Sequence, residues 1–308
     1  IGAMENEIVK PRSQRHRRVL KARAPKIHEN DKKTMFVRGG NTSDVVTNVL
    51  KEMYMLKKPD ALLLRKRNIA RPFEDQTTLE FLSKMNDCSL FMFGSHSKKR
   101  PNNLVLGRFF DNQTLDMIEV GVDVFQSLRD VKTSKCPLAT KPCLVFSGSL
   151  FESDDELRKV KNILIDFFRG PVVENIRLSG LEHVMQFTAE DGKIFLRSYR
   201  VLLKKSGSRT PRVEIENMGP NLDLTIRRTH FASDDLFKKA CKQPRAAKPR
   251  KVKNISSDVF GAKKGRIHMT SQDLKNLQLR KVKALKRKPD ASKCNKNKGK
   301  KTKEKKQK

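Results

Sequence analysis

The sequence predicts an α/β protein made of two similar halves with mixed and antiparallel sheets, flanked by basic tails without stable structure of their own. Three observations predict it. First, charge is segregated: the 308 residues hold 68 Lys or Arg against 34 Asp or Glu, a formal charge of +34. Residues 4–38 carry +7 of this and residues 241–308 carry +21, which leaves only +6 on the 202 residues between them. That middle is long enough to bury a core, whereas the lysine-rich ends lack the apolar side chains to offset the entropy of ordering. Second, a unit of short apolar strand, glycine and amphipathic helix occurs twice, once after MFVRG and once after LVFSG, as an internal duplication would produce. Third, the later part of the chain alternates apolar and polar residues around Asp191-Gly192, a strong hairpin signal.

Taken in order, the stretch from Lys10 to Lys26 predicts a basic helix between Pro11 and Pro25, with too few apolar residues to fold alone. TMFVRGG reads as a strand ending at Gly39 and Gly40. The helix after it places Val45, Val46, Val49, Leu50, Met53 and Tyr54 at helical spacing, with Ser43 or Asp44 as its cap and Pro59 as its stop. ALLLRK is a strand, QTTLEFLSKM a second helix and CSLFMFG a strand. A loop rich in small and cationic residues, GSHSKKRPNN, separates it from the strands NLVLGRFF and LDMIEVGV. The grammar then returns: KPCLVFSG is a strand, and ESDDELRKVKNILIDFFRGP is a helix starting at Ser153 or Asp154, with Leu157, Val160, Ile163, Leu164, Phe167 and Phe168 on one face. The strands HVMQFTAE and KIFLRSYRVLLKK flank the hairpin turn, RVEIENMG and NLDLTIRRTHF alternate as half-buried strands do, and SDDLFKKACK closes the domain as a short helix. Ile1, Gly2 and Ala3 ahead of Met4 read as a cloning scar.

The charge favours a polyanionic partner. No apolar run approaches the length that spans a bilayer, and no secretory leader is read, so an intracellular, membrane-free protein is expected. The cysteines Cys88, Cys136, Cys143, Cys241 and Cys294 are odd in number and form no C-x-x-C pair, which predicts neither disulfides nor a zinc site. The six histidines show no paired ligand spacing, so no metal is expected. Ser95, His96 and Ser97 adjoin without the spatial logic of a triad, and Lys98 lacks the preceding glycine of a P-loop. Neither catalysis nor a cofactor or small-molecule substrate is expected. Without Trp, and with Tyr54 and Tyr199 the only tyrosines, no exposed aromatic platform is foreseen, and recognition of RNA backbone and shape is the expected mode. The candidate phosphate contacts are Lys98, Lys99 and Arg100 in the small loop. Arg108 is a further candidate, because an arginine in an apolar strand must reach solvent, a carboxylate or a phosphate. The tail sequences KPRKVK and KALKRKP serve equally as import signals and phosphate contacts.

The blocks MFVRG, FEDQTTLEFLSKMNDCSLFMFGSHSKKRPNNLVLGRFFDNQTLDMIEVGV, KPCLVFSG and MGPNLDLTIRRTHFASDDLFKKA, in this order, resemble the Brix-domain family of ribosome biogenesis proteins. The resemblance covers residues 28–242 and implies halves near 28–135 and 136–242, each like the anticodon-binding domain of class II tRNA synthetases, after a basic extension over 1–27 and before a basic tail over 243–308. It further implies a non-enzymatic, nucleolar factor that works with a heterodimeric partner, the regulator of ribosome synthesis, to bring 5S rRNA and its two ribosomal proteins into the large-subunit precursor. On this reading Lys98, Lys99, Arg100 and Arg108 face rRNA phosphates. Arg15, Arg17, Arg18, Lys21 and Arg23 of the extension, and Arg250, Lys251 and Lys253 of the tail, lie along neighbouring RNA or protein, while the sheet of one half offers the partner an apolar surface or edge. The competing expectation is a nucleolar protein scaffold that touches no RNA.

Overall fold

Four of the six α-helices among the described residues start where a short polar side chain accepts one of the free backbone N–H groups of the first turn. Ser13 Oγ accepts from His16 N at the start of α1, Gln14–Arg23, and Ser43 Oγ accepts from Val46 N at the start of α2, Asp44–Lys57. Asp154 does so for Glu156 N in α5, Asp155–Phe168, and Ser233 for Leu236 N in α6, Asp234–Ala240. The remaining helices are α3, Thr77–Asn86, and the single turn α4, Leu150–Ser153. The strands are β1 Thr34–Gly39, β2 Ala61–Asn68, β3 Leu90–Ser95, β4 Asn103–Phe110, β5 Gln113–Gln126, β6 Cys143–Ser147, β7 His183–Glu190, β8 Lys193–Lys204, β9 Arg212–Asn217 and β10 Asn221–His230. This computed structural model describes residues 11–24, 26–27, 30–173, 175–247, 252–258 and 262–271. Residues 249–308 form a separate unit. Its described part contains a three-residue hairpin, β11 Ile255–Ser257 and β12 Lys263–Gly265, a feature the expectation of an unstructured tail omits.

Ten strands of the first unit form one sheet in the order β2-β1-β3-β4-β5-β10-β8-β7-β6, with β9 also on β8. The duplication read from sequence is visible in it. In the first half β1 pairs parallel with β3, which continues antiparallel through β4 to β5; in the second, β6 pairs parallel with β7, which continues antiparallel through β8 to β10. The halves do not keep separate sheets. β5 and β10 pair antiparallel from Gln126↔Asn221 to Met117↔His230, fusing the two. Asp191 and Gly192 turn the β7–β8 hairpin with φ of 48° and 73°, the left-handed pair that a two-residue hairpin needs.

Alternation along the strands decides which residues meet which layer. Phe36, Met92, Leu106, Val120, Phe187 and Leu196 point to the face covered by α2 and α5, where Val46, Leu50, Val160, Leu164 and Phe167 pack against them. Met35, Phe91, Phe93, Val105 and Met117 point the other way, into a smaller core closed by Leu79 of α3. The first half is thus three layers deep. The second half has no counterpart of β2 or α3 among the described residues, so the corresponding face of β6, β7 and β8 is bare.

One polar pair sits inside this core. His183, 3 % exposed, meets Ser198 Oγ at 2.8 Å, and burial pushes its imidazole down to about 4. Because the folded value lies below the ordinary one, this contribution to stability is complete above about pH 6.5 and is lost as pH falls toward 4, by roughly 3 kcal/mol in all. Urea denaturation at pH 7, 5.5 and 4 is expected to show that loss in the wild type and a shallower one in His183→Gln.

Candidate nucleic-acid interface

The cationic loop between β3 and β4 is a rigid turn. Ser97 N donates to Arg100 O and Arg100 N to Ser97 O, both at 3.1 Å. Lys98 and Lys99 are therefore the two tip residues of a tight hairpin, both exposed and free of ion pairs among the described residues. Its base is bolted on three sides. His96 N donates to Asn41 O at 2.9 Å and Asn102 N to His96 Nδ1 at 3.1 Å. Asn102, at φ 44°, also accepts from the capping Ser43 hydroxyl at 2.7 Å. From the second half, Arg227 on β10 reaches Asn103 Oδ1 at 3.0 Å and Pro101 O at 2.8 Å. It lies flat across Gly121, where any Cβ would come within 2.4 Å of its guanidinium. These contacts fix the backbone from which Lys98 and Lys99 project, so little backbone ordering is left to be lost when the turn meets a ligand.

Arg100 differs from its two neighbours. Its guanidinium is 42 % exposed and donates at 3.1 Å to Glu119, a carboxylate only 1 % exposed. Asn103 Nδ2 at 2.7 Å and Arg228 Nε share the same carboxylate. Burial alone would raise Glu119, but the hydrogen bonds from Arg228 and Asn103 and the charges of Arg228 and Arg100 outweigh it and hold the group below the usual carboxylate range. Glu119 thereby fixes two arginines at the floor of the loop. Arg228 in turn lies 4.2 Å over the ring of Phe73.

The structure corrects the reading of Arg108 as a phosphate contact. Its side chain is 8 % exposed and points to the α5 layer, where Nη1 donates to Asn162 at 2.6 Å and to Asp166 at 2.7 Å, and Nη2 to Asp116. Of the three destinations open to an arginine in an apolar strand, a carboxylate is the one realised. Desolvation raises Asp166, but Lys32 and then Arg108 overcome it and keep the group below its ordinary value.

The remaining candidates fall elsewhere. Arg15, Arg17, Arg18 and Lys21 are exposed on α1 with no ion pair among the described residues. Arg23 instead donates to the carbonyls of Lys84, at 3.5 Å, and Met85, at 2.7 Å, capping the C-terminal end of α3 as a cation does favourably. That end adjoins the start of β3, whereas Lys98 and Lys99 follow its end, about 17 Å of strand away. The two cationic sets are not brought together. Lys253 is exposed in the second unit; Arg250 and Lys251 lie outside the described residues. Sequence reasoning missed Arg67, Arg71, Arg227 and Arg228. The run Arg65-Lys66-Arg67 at the end of β2 was a readable signal, but nothing local links Arg228 to a turn 128 residues earlier.

Comparison with known proteins agrees with this architecture. The family model described as the Brix domain matches residues 39–228. The chain is 60 % identical over 260 residues to the ribosome production factor 2 homolog of Homo sapiens, covering 84 % of this chain and 85 % of the relative. It is 59 % identical over 261 residues to that of Mus musculus, covering 85 % of each. To that of Drosophila melanogaster it is 46 % identical over 289 residues, covering 94 % of this chain and 90 % of the relative. The chain belongs to the Brix-domain family.

Proposed function

We propose that the protein acts in ribosome biogenesis as a non-enzymatic assembly factor of the large subunit, gripping phosphates of 5S rRNA and pre-rRNA in the nucleolus and helping to bring the 5S ribonucleoprotein into the precursor particle. The observation that carries this reading is the turn at Lys98-Lys99: two cations without an ion pair among the described residues, on a short, braced hairpin. Structural charges are normally paired or spread over a solvated surface, whereas a pre-organised cationic tip is suited to a polyanion. Arg100 supports the tip, and the cations of α1 and of the tail around Lys253 extend the contact along neighbouring RNA.

The partner, expected to be the regulator of ribosome synthesis, has a natural place in the second half. There, among the described residues, β6 has a free edge and the face bearing Val145, Leu203, Val213 and Ile215 is uncovered. In the first half the equivalent edge is occupied by β2 and the equivalent face by α3. The internal repeat supports an occupant of the same kind, a strand beside β6 and a helix over the bare face. Purification from cells at moderate salt, with sequencing of bound RNA and cross-link mapping of bound protein, is expected to recover 5S rRNA, its two ribosomal proteins and the partner, cross-linked to residues of β6 and β9. Recovery of the partner with no RNA above background would leave a protein scaffold in its place.

A further inference from the structure

Beside the Lys98-Lys99 turn lies a cleft of about 730 Å³, within the size range of sites that accept a small molecule or a single group of a polymer. It opens at the C-terminal ends of β1, β2 and β3, the end of parallel strands where loops diverge and ligands collect. It is lined by the segment Ile69–Phe73 that leads into α3, by His96, Ser97 and Arg100 of the turn, and by Glu119 and Arg228. Three features set it apart from a general cationic surface.

The first is a flat guanidinium. Arg228 is fixed at one edge by Glu119 and lies over the ring of Phe73, its side chain is still 38 % exposed, and both it and Phe73 line the cleft. Guanidinium planes and aromatic rings are the surfaces on which unstacked bases are held in RNA recognition. The second is an oriented imidazole. His96, which lines the cleft, accepts the Asn102 amide on Nδ1, and this orients the ring with Nε2 as its remaining polar atom, without a partner among the described residues. The third is an excess of positive charge. Arg67, Arg71, Arg100 and Arg228 line the space against Glu74, which pairs with Arg71, and Glu119, which is shared by Arg100 and Arg228.

We propose that this cleft receives one unpaired nucleotide of the bound RNA, its base stacked on the Arg228 guanidinium and its phosphate held between the Lys98-Lys99 turn and Arg67. The proposal rests on the RNA-binding reading above and adds base contact to it. It changes the expected mode of recognition: without a broad aromatic platform, the chain still has one planar seat, assembled from Phe73 in the first half and Arg228 in the second.

The test compares a non-self-complementary single-stranded RNA hexamer with the ribose-phosphate chain of the same length lacking bases, each binding the full-length protein at physiological salt. Base stacking predicts at least about fivefold tighter binding of the intact hexamer. Arg228→Lys keeps the charge but removes the plane, and is expected to bring the intact hexamer down to the affinity of the base-free chain. Phe73→Leu, which keeps an apolar side chain beneath Arg228, is expected to do the same in part. With wild-type protein, a hexamer bearing 4-thiouridine is expected to cross-link within residues 69–73 or at His96. Equal affinity for the two chains, or cross-links only outside the cleft, overturns the proposal and leaves the phosphate grip standing. Failure of both chains and of 5S rRNA to bind removes the RNA reading itself.

Discussion

Arg108→Ala is expected to lower the unfolding free energy by about 3–5 kcal/mol, the usual cost of removing one partner from a buried ion pair. The change leaves Asp116, 3 % exposed, with its Oδ1 on the Ala232 amide but its other oxygen without the guanidinium. It also leaves Asp166 with Lys32 as its cation, at 2.7 Å. An uncompensated carboxylate in the core is the larger part of the effect, and this gives the prediction a signature. Asp166 is held below its ordinary value in the folded protein, so the stability that it contributes is present above the usual carboxylate range and lost as pH falls through and below it. The gap between wild type and Arg108→Ala, measured by urea denaturation, should therefore narrow on going from pH 7 to pH 3. Phosphate-mediated RNA affinity of the folded fraction should stay unchanged. A variant that is stable but binds RNA weakly would restore Arg108 to the RNA surface.

The residues around Arg108 show where sequence reading stops. Its need for a counter-charge was legible from Gly107-Arg108-Phe109 alone, because burial of an unpaired guanidinium is costly in any fold. Which partners it finds was not, since Asn162 and Asp166 lie 54 and 58 residues away on a helix whose packing is a property of the whole sheet. The same boundary runs through the fold. α2 and α5 declared themselves by apolar spacing and by Ser43 and Asp154, and the β7–β8 hairpin by Asp191-Gly192, because these signals act within a few residues. The pairing of β5 with β10 joins residues about a hundred positions apart, and it has no local signature. That pairing is also what delivers Arg227 and Arg228 to the loop of the first half, so the part of the site missed in sequence is the part that long-range strand pairing creates. The open edge of β6 was equally invisible, because an edge is defined by the strand that is absent.

Replacing both Lys98 and Lys99 by alanine is expected to weaken binding of 5S rRNA while leaving thermal stability within about 0.5 kcal/mol of wild type. The two side chains are exposed at the tip of the turn and make no ion pair among the described residues, and the turn is held by backbone bonds of Ser97 and Arg100 that alanine does not disturb. If each lysine neutralises one phosphate, the slope of log K against log salt falls in magnitude by about 1.4–1.8. Carried from 1 M salt, where counterion release no longer contributes, down to 0.15 M, that change in slope amounts to roughly 15–30-fold in affinity. Arg100 is left in place because its removal would also strip Glu119 of a partner and mix stability with binding. The comparison that gives the number meaning is Lys205→Ala with Arg209→Ala, which removes two exposed charges from a loop of the second half. A long-range effect of net charge would weaken both pairs equally, whereas a phosphate grip at the braced turn weakens only the first. Equal losses, or an unchanged salt slope for the Lys98/Lys99 pair, would return the charge on this loop to the solvent.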